Sequence, residues 1–96
     1  MPGYSFSRRA ERDLDEIADY TRGQWGNRQA ILYIEALRAL CVRLAEAPET
    51  GRCCEDIPGL HRMESGSHVV FYRIKHEGIR VSRILHRRML PSLHKR

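Results

Sequence analysis

Two stretches of the chain repeat their apolar residues at helical spacing, and together they predict a pair of helices. The first follows Ser7, which favours the N-cap position, and is expected to span residues 8 to about 22. The second follows Asn27, the second candidate N-cap, and its apolar residues recur at intervals of three and four until Pro48. The connection between the helices is short and contains glycine, so the helices are expected to form an antiparallel hairpin.

The C-terminal half of the chain has the composition and alternation of β-strands. Residues 67–75 and 79–86 are rich in Val, Ile, Phe and Tyr, and three residues ending in Gly78 join them as a hairpin loop. A weaker run at residues 60–64 precedes them. The three runs predict an antiparallel meander.

The order of these elements defines a fold class. Residues 4–6 carry two aromatic side chains at alternate positions and predict a short first strand, whereas residues 48–59, with two Pro and two Gly, predict a surface loop. The prediction is an α+β fold of order β-α-α-β-β-β, with an antiparallel curved sheet packed against the N-terminal helical hairpin in a single domain, residues 1–96. The predicted core contains Leu14, Ile17, Ile34, Leu37, Leu44, Val70 and Tyr72.

One residue of the last predicted strand does not fit its pattern. Alternation places Ile79, Val81 and Leu85 on one face and Ile84 on the other. Arg83 falls on the face of the first three. Either a β-bulge shifts the register near Arg83, or a partner holds its charge.

Aromatic residues and acids of the helices complete the structural expectations. Tyr20, Trp25 and Tyr33 are expected in the core rather than on a stacking surface. Most acids of the first helix, including Asp13, are expected to lie off its apolar stripe.

Composition indicates where in the cell the protein is expected and whether its cysteines are reduced. The chain has 96 residues, and no apolar run approaches the roughly 18 residues of a membrane span. The N-terminus lacks the apolar region of a signal peptide, so a cytoplasmic location is expected. The adjacent Cys53 and Cys54 do not have zinc-ligand spacing, and with Cys41 they are expected to be reduced thiols. Neither a metal nor a cofactor is expected.

Positive charge is concentrated toward the C-terminus. Residues 57–96 contain nine Lys or Arg and two acids, although the net charge of the whole chain is only +5. Such a block favours an acidic partner, which can be a nucleic acid, a phosphate-rich site or an acidic protein segment. The alternatives are a solvated basic face or arginines paired with acids of the helices. The basic residues expected to converge at one sheet edge are Arg62, Arg83, His86, Arg87 and Arg88.

The order of motifs resembles that of the ParE toxins in the RelE/ParE superfamily of type II toxin–antitoxin systems. The resemblance rests on the segments DLDEIADYTRGQWG, GSHVVFYRI and ILHRRM and on their spacing, and it extends from Tyr4 to about His94. It implies that the chain is a toxin that inhibits DNA gyrase and blocks replication, and that a ParD-like antitoxin neutralises it in a hetero-oligomer. Catalytic residues, membrane binding and direct sequence-specific nucleic-acid binding are then not expected.

A second branch of the superfamily provides the alternative function. RelE-like proteins are ribosome-dependent mRNA endonucleases, and they place a basic residue just before the apolar run that ends in the central-strand Tyr. Here that position is Val69. In this alternative Arg62, His86 and Arg88 are the candidate catalytic residues, with His86 able to transfer a proton and the arginines able to contact phosphate.

For the ParE interpretation we expect partner binding by six residues. They are Arg62, Arg83, His86, Arg87, Arg88 and Met89. An acidic and apolar antitoxin segment is expected to lie along the helical hairpin and across the sheet near Arg62 and Arg83. Residues 86–96, where Pro91 prevents a central strand, are expected to serve the toxic target more than the core.

Overall fold

The computed structural model of the protein describes residues 3–90. In chain order its elements are β1 (Gly3–Phe6), α1 (Arg8–Trp25), α2 (Asn27–Glu46), β2 (Arg52–Cys53), β3 (Leu60–Ser65), β4 (His68–Lys75) and β5 (Gly78–His86), with 3₁₀ turns at Pro48–Thr50 and Arg87–Met89. The predicted α+β class is confirmed. Within this class, α1 continues past residue 22, and the predicted loop at residues 48–59 contains β2.

The strands form one five-stranded sheet in the order β1-β5-β4-β3-β2. β3, β4 and β5 form the predicted antiparallel meander, but β1 pairs parallel to β5, so the sheet is mixed. The first pair of this parallel ladder is Gly3 and Gly78. Gly78 has φ 132°, and a Cβ there would collide with the backbone of Gly3. Only glycine therefore fits where β5 starts beside β1.

Both helices cover the same face of the sheet, and the main core lies between the helices and that face. Its members include Leu14, Ile17, Leu37, Leu44, Val70 and Tyr72, as predicted, while Ile34 is half-buried at its border. The predicted cap of α1 is confirmed, because Ser7 Oγ accepts the Ala10 N–H at 3.0 Å. The predicted cap of α2 is wrong: Gly26, not Asn27, occupies the N-cap position and offers no side chain.

A β-bulge in β5 explains the misfit at Arg83. Tyr72 pairs with Val81 and Phe71 with Arg83, so Ser82 is the extra residue. Beyond the bulge the faces exchange, and Ile84 joins the main core while Leu85 turns to the opposite face. The predicted faces of these two residues are therefore wrong, and of the two alternatives stated for Arg83 the β-bulge is confirmed.

The opposite face of the sheet carries a smaller apolar cluster. Val69, Phe71 and Leu90 are buried in it, and neither helix contributes to it. Leu90 is only 2 % exposed, which corrects the expectation that the core loses little without the residues after His86. Residues 91–96 of that segment lie outside the described part of the chain.

The exposed aromatic residues correct a second expectation. Tyr20 is 66 % and Trp25 70 % exposed, so neither belongs to the core, and Tyr33 is half-buried. Neither helix within residues 3–90 has the length and apolar character that a membrane span needs.

Candidate partner-binding site

A row of arginines crosses the sheet face that the helices leave open. Cross-strand pairing aligns Arg52, Arg62, Phe71 and Arg83 on β2, β3, β4 and β5. The guanidinium of Arg62 lies 5.8 Å from the centroid of the Phe71 ring, a cation–π distance. These residues line a groove of about 640 Å³, the arginine groove, together with Leu60 and other residues. The acids Glu55 and Asp56 also line the groove, so its positive charge is concentrated along the row of arginines. Beside Phe71 and Leu60, that row suits a ligand that is both apolar and acidic.

One carboxylate organises three of the arginines on this face. Glu64 lies 3.1 Å from Arg87, 3.6 Å from Arg62 and 3.9 Å from Arg52. The Glu64 side chain is 44 % exposed, and the two longer distances are loose ion pairs. A single exposed carboxylate does not neutralise three guanidinium groups, so this cluster keeps a net positive charge.

A second carboxylate holds Arg83 far more tightly. Asp13 of α1 accepts hydrogen bonds from Arg83 Nε at 2.9 Å, from Arg83 Nη2 at 3.2 Å and from the Ile84 N–H at 2.9 Å. The Asp13 side chain is only 9 % exposed, so the expectation that it lies off the apolar stripe is wrong. The hydrogen bond to Asp13 raises the pKa of Arg83 above its ordinary value.

Asp13 and Ser7 also protect the edge of β5 where β1 ends. The β1–β5 ladder stops at the pair Phe6 and Val81. Beyond it, Ser7 Oγ donates to the Ser82 carbonyl at 2.8 Å and Asp13 accepts from Ile84. Side chains at the start of α1 thus replace the missing strand and satisfy the backbone of the bulge.

A second groove, of about 400 Å³, lies between α1 and the end of β5. We call it the histidine groove, and it is lined by Tyr20, His68, Arg83, His86, Arg88 and Met89, among others. Met89 is 60 % exposed, and the backbone N–H of Arg88 donates to His86 Nδ1 at 3.0 Å. The guanidinium of Arg88 makes no ion pair with any acid of residues 3–90.

Two histidines meet at this groove. The rings of His68 and His86 lie edge to face with centroids 5.1 Å apart. Burial and the neighbouring His86 lower the pKa of His68 from 6.5 to about 4, so His68 is neutral at physiological pH. Its Nδ1 lies 2.6 Å from the hydroxyl of Tyr33, whose pKa is raised by burial.

The structure divides the predicted site residues between the two grooves. Arg62 lines the arginine groove, His86, Arg88 and Met89 line the histidine groove, and Arg83 lines both. Arg87 joins the first group through Glu64. The three candidate nuclease residues Arg62, His86 and Arg88 therefore do not line one groove. Within the described residues, no group of three or more His, Cys, Asp or Glu side chains could hold a metal ion.

Four residues that line a groove or hold its arginines were missed from the sequence: Asp13, Glu64, His68 and Tyr20. The burial of Asp13 could have been predicted from its position. It stands three residues after Ala10 and four before Ile17, which places it on the apolar stripe of α1. Glu64 is also conspicuous as one of only two acids after residue 56. The proximity of His68 and His86 carries no local signal, because it depends on the register of β4 and β5.

Comparison with known proteins identifies the family of this chain. The family model described as "ParE toxin of type II toxin-antitoxin system, parDE" matches residues 4–91. The chain belongs to this family. It is thus a ParE-family toxin of a type II toxin–antitoxin system, and the resemblance noted in the sequence is confirmed.

Two curated relatives and one solved structure support the same assignment. Toxin ParE1 of Caulobacter vibrioides is 43 % identical, over 98 % of both chains. Toxin ParE1 of Mycobacterium tuberculosis is also 43 % identical, over 90 % of both chains. The structure titled "Chromosomal ParDE TA system from P. aeruginosa" has a TM-score of 0.76 at 22 % identity, covering 90 % of this chain and 96 % of the other. At that identity the structural match establishes the common fold.

Proposed function

We propose that this ParE-family toxin inhibits DNA gyrase by binding it and thereby blocks replication, and that a ParD-like antitoxin neutralises it. Family membership supports the proposal. The structural observation that carries its antitoxin part is the row of arginines around Phe71 on a sheet face without helical cover. Such a surface suits protein recognition, and a gyrase target places the action of the toxin in the cytoplasm.

The arginine groove is the proposed antitoxin site. Its lining includes the apolar Phe71 and Leu60, which can contact apolar side chains, and Arg62, which can attract acidic ones. Arg83 lines the same groove but is already paired with Asp13. An acidic and apolar antitoxin segment that is disordered when free fits this combination. Arg87, linked to Arg62 through Glu64, belongs to the same surface.

The histidine groove is the proposed target site. Exposed Tyr20 and Met89 offer apolar contact, and Arg88 offers a cation without an acidic partner among residues 3–90. Aromatic residues and arginine are the types that most often dominate binding energy at protein interfaces. His86 lines the same groove.

Induction of the toxin in growing cells tests the proposal. The expected result is arrest with altered plasmid supercoiling and DNA breaks while mRNA remains intact, and co-expression of the antitoxin should restore growth. The variant Arg88→Ala should weaken arrest, and Arg73→Ala, which removes an arginine hydrogen-bonded to Pro58 outside both grooves, is the matched control. Arrest with normal supercoiling and cleaved mRNA would contradict the gyrase target.

One observation favours a second candidate, a ribosome-dependent mRNA endonuclease. His68 lies edge to face with His86, so the histidine groove contains two imidazoles, the type of side chain most often used for proton transfer. Loss of mRNA cleavage in His86→Gln, with supercoiling unaffected in every variant, would support this candidate.

A further inference from the structure

Two arginines stand directly opposite each other on the sheet face that the helices leave open. The register of β4 and β5 places Arg73 opposite Arg80. The sequence neighbours of Arg80, Ile79 and Val81, lie in the main core, so alternation turns Arg80 to the open face. Arg73 follows Phe71 by two residues on β4 and therefore shares the open face with it.

No carboxylate of residues 3–90 forms an ion pair with either arginine. The Arg73 guanidinium donates to the Pro58 carbonyl at 3.1 Å, and the Arg80 guanidinium donates to Ser5 Oγ at 3.2 Å. Both acceptors are uncharged, so they orient the two side chains without neutralising them. Like charges directly opposite on paired strands destabilise a sheet. The pair therefore points to an anionic ligand rather than to a role in the fold.

A third cation extends the pair toward the β4–β5 hairpin. Lys75 is exposed and lies two residues beyond Arg73 on the same face of β4, about 6.8 Å along the strand. Within the described part of the chain Lys75 makes no ion pair either, not even with Glu77 of the hairpin loop. We call Arg73, Lys75 and Arg80 the hairpin patch. None of the three lines the arginine groove or the histidine groove.

The hairpin patch offers a ligand charge with little apolar surface. Its neighbours on the open face are Ser5, which pairs with Arg80, and Leu60, which pairs with Arg73 and is half-buried in the second apolar cluster. The arginine groove, in contrast, combines its arginines with several apolar side chains. Protein interfaces usually depend on buried apolar or aromatic anchors, which the hairpin patch does not provide.

The position of the aromatic residues narrows the class of ligand further. The exposed Tyr and Trp side chains of residues 3–90 are Tyr20 and Trp25, and both belong to α1 on the other side of the sheet. Single-stranded nucleic acids gain much of their binding energy by stacking bases on aromatic rings. Duplex DNA instead presents a dense row of phosphates, which attracts Lys and Arg without any contact to the bases.

We propose that the hairpin patch binds the phosphate backbone of duplex DNA without sequence preference. The planar guanidinium forks of Arg73 and Arg80 match phosphate oxygens, and Lys75 adds a point charge beside them. Because the patch lies outside both grooves, this binding is separate from the proposed antitoxin and target sites. Three phosphate contacts predict that the logarithm of the binding constant falls with the logarithm of salt concentration with a slope of about −3.

Fluorescence anisotropy of a short labelled duplex, measured at several salt concentrations, tests the site. The toxin should bind two duplexes of unrelated sequence equally. The double variant Arg73→Ala with Arg80→Ala should bind severalfold more weakly and reduce the salt slope by about 2. The matched control, Arg28→Ala with Arg38→Ala, removes the same charge from the exposed side of α2 and should change binding little. Equal losses in the two double variants would overturn the proposal.

A charge reversal separates binding from stability. Arg80→Glu places an acid opposite Arg73, and opposite charges on paired strands stabilise a sheet. The variant should therefore unfold at a temperature no lower than that of the original toxin and yet lose most of its DNA binding. A marked fall in the unfolding temperature would show that the arginine pair serves the fold. Either that result or unchanged DNA binding by the folded variant would contradict the proposal.

Two other polyanions test the class of ligand. Removal of Arg73 and Arg80 should weaken binding of duplex DNA more than binding of polyglutamate with the same total charge, because duplex DNA carries one charge per roughly 1.7 Å of its axis. It should also affect single-stranded DNA of the same length less than the duplex. An equal or larger loss with polyglutamate would assign the patch to an acidic protein segment, and a larger loss with single-stranded DNA would assign it to single strands. Either result overturns the proposal.

Discussion

Asp13 and Glu64 both hold arginines, but they do so in different ways. Asp13 is nearly buried, engages Arg83 through two hydrogen bonds and also accepts from the backbone of Ile84. Glu64 is far more exposed and lies among three arginines at distances from 3.1 to 3.9 Å. The first cluster fixes one geometry across 70 residues of sequence, whereas the second leaves its arginines loosely held.

The difference separates a structural role from a recognition role. A buried carboxylate with three satisfied acceptors costs much free energy when removed, because its partners are then left unpaired. An exposed carboxylate among several arginines contributes little to stability, and its arginines can exchange it for an incoming acid. Asp13 therefore belongs to the fold, and Glu64 belongs to the proposed antitoxin surface.

Removal of the Asp13 carboxylate should destabilise the folded toxin more than any other substitution considered. Asp13→Ala leaves Arg83 and the Ile84 N–H without their acceptor, and it should lower the free energy of unfolding by about 3–5 kcal/mol. Urea denaturation followed by circular dichroism measures this change. A loss as small as that of a surface substitution would contradict the structural role, and Asp15→Ala on the exposed side of α1 is the matched control.

The second largest loss of stability is expected at Leu90, which anchors the 3₁₀ turn after β5. Leu90→Ala should cost about 2–3 kcal/mol, the lower part of the usual range, because its cluster with Val69 and Phe71 is small. Met89→Ala is the control, since Met89 is 60 % exposed and should change stability little. If both variants unfold at the same denaturant concentration as the original toxin, Leu90 is not part of the fold.

The stability of the folded toxin should depend on pH because of His68. Its pKa is about 4 in the folded toxin and about 6.5 when unfolded, so below pH 6.5 the unfolded state binds more protons. His68 should therefore reduce stability as pH falls from 6.5 to 4 and change it no further below that. Thermal unfolding should show a shallower decline over this window in His68→Gln than in the original toxin, while His76→Gln should leave the slope unchanged.

The smallest stability effect is expected at Glu64. Glu64→Gln should change the free energy of unfolding by less than about 0.5 kcal/mol, since the carboxylate is exposed. It should nevertheless speed association with the antitoxin at low salt, because it uncovers positive charge on Arg62 and Arg87. Stopped-flow measurements at two ionic strengths check this. An association rate independent of salt would count against the electrostatic part of the account.

Much of this fold could be predicted from local pattern. The apolar spacing identifies α1 and α2, and alternation identifies β3, β4 and β5 with ends close to those observed. The sequence does not reveal whether β1 pairs parallel or antiparallel with its neighbour. A strand of only four residues shows the same alternation of side chains in both cases. β2 is only two residues long, which is too short to show the alternation of apolar and polar residues that identifies a strand.

The candidate site was predicted less completely, for a physical reason. The sequence identifies the arginines as a group, but which groove each one lines depends on contacts between distant residues. The bulge at Ser82 decides the faces of Arg83, Ile84 and Leu85, and Ser7 and Asp13 satisfy the backbone beside it. No window of sequence around residue 83 contains those partners.

Supercoiling of relaxed plasmid by purified gyrase, with and without the purified toxin, measures the proposed inhibition itself. The toxin should inhibit supercoiling, the antitoxin should restore it, and Arg88→Ala should weaken inhibition while still binding antitoxin. Full supercoiling activity in the presence of excess folded toxin, together with mRNA cleavage on ribosomes, would contradict it.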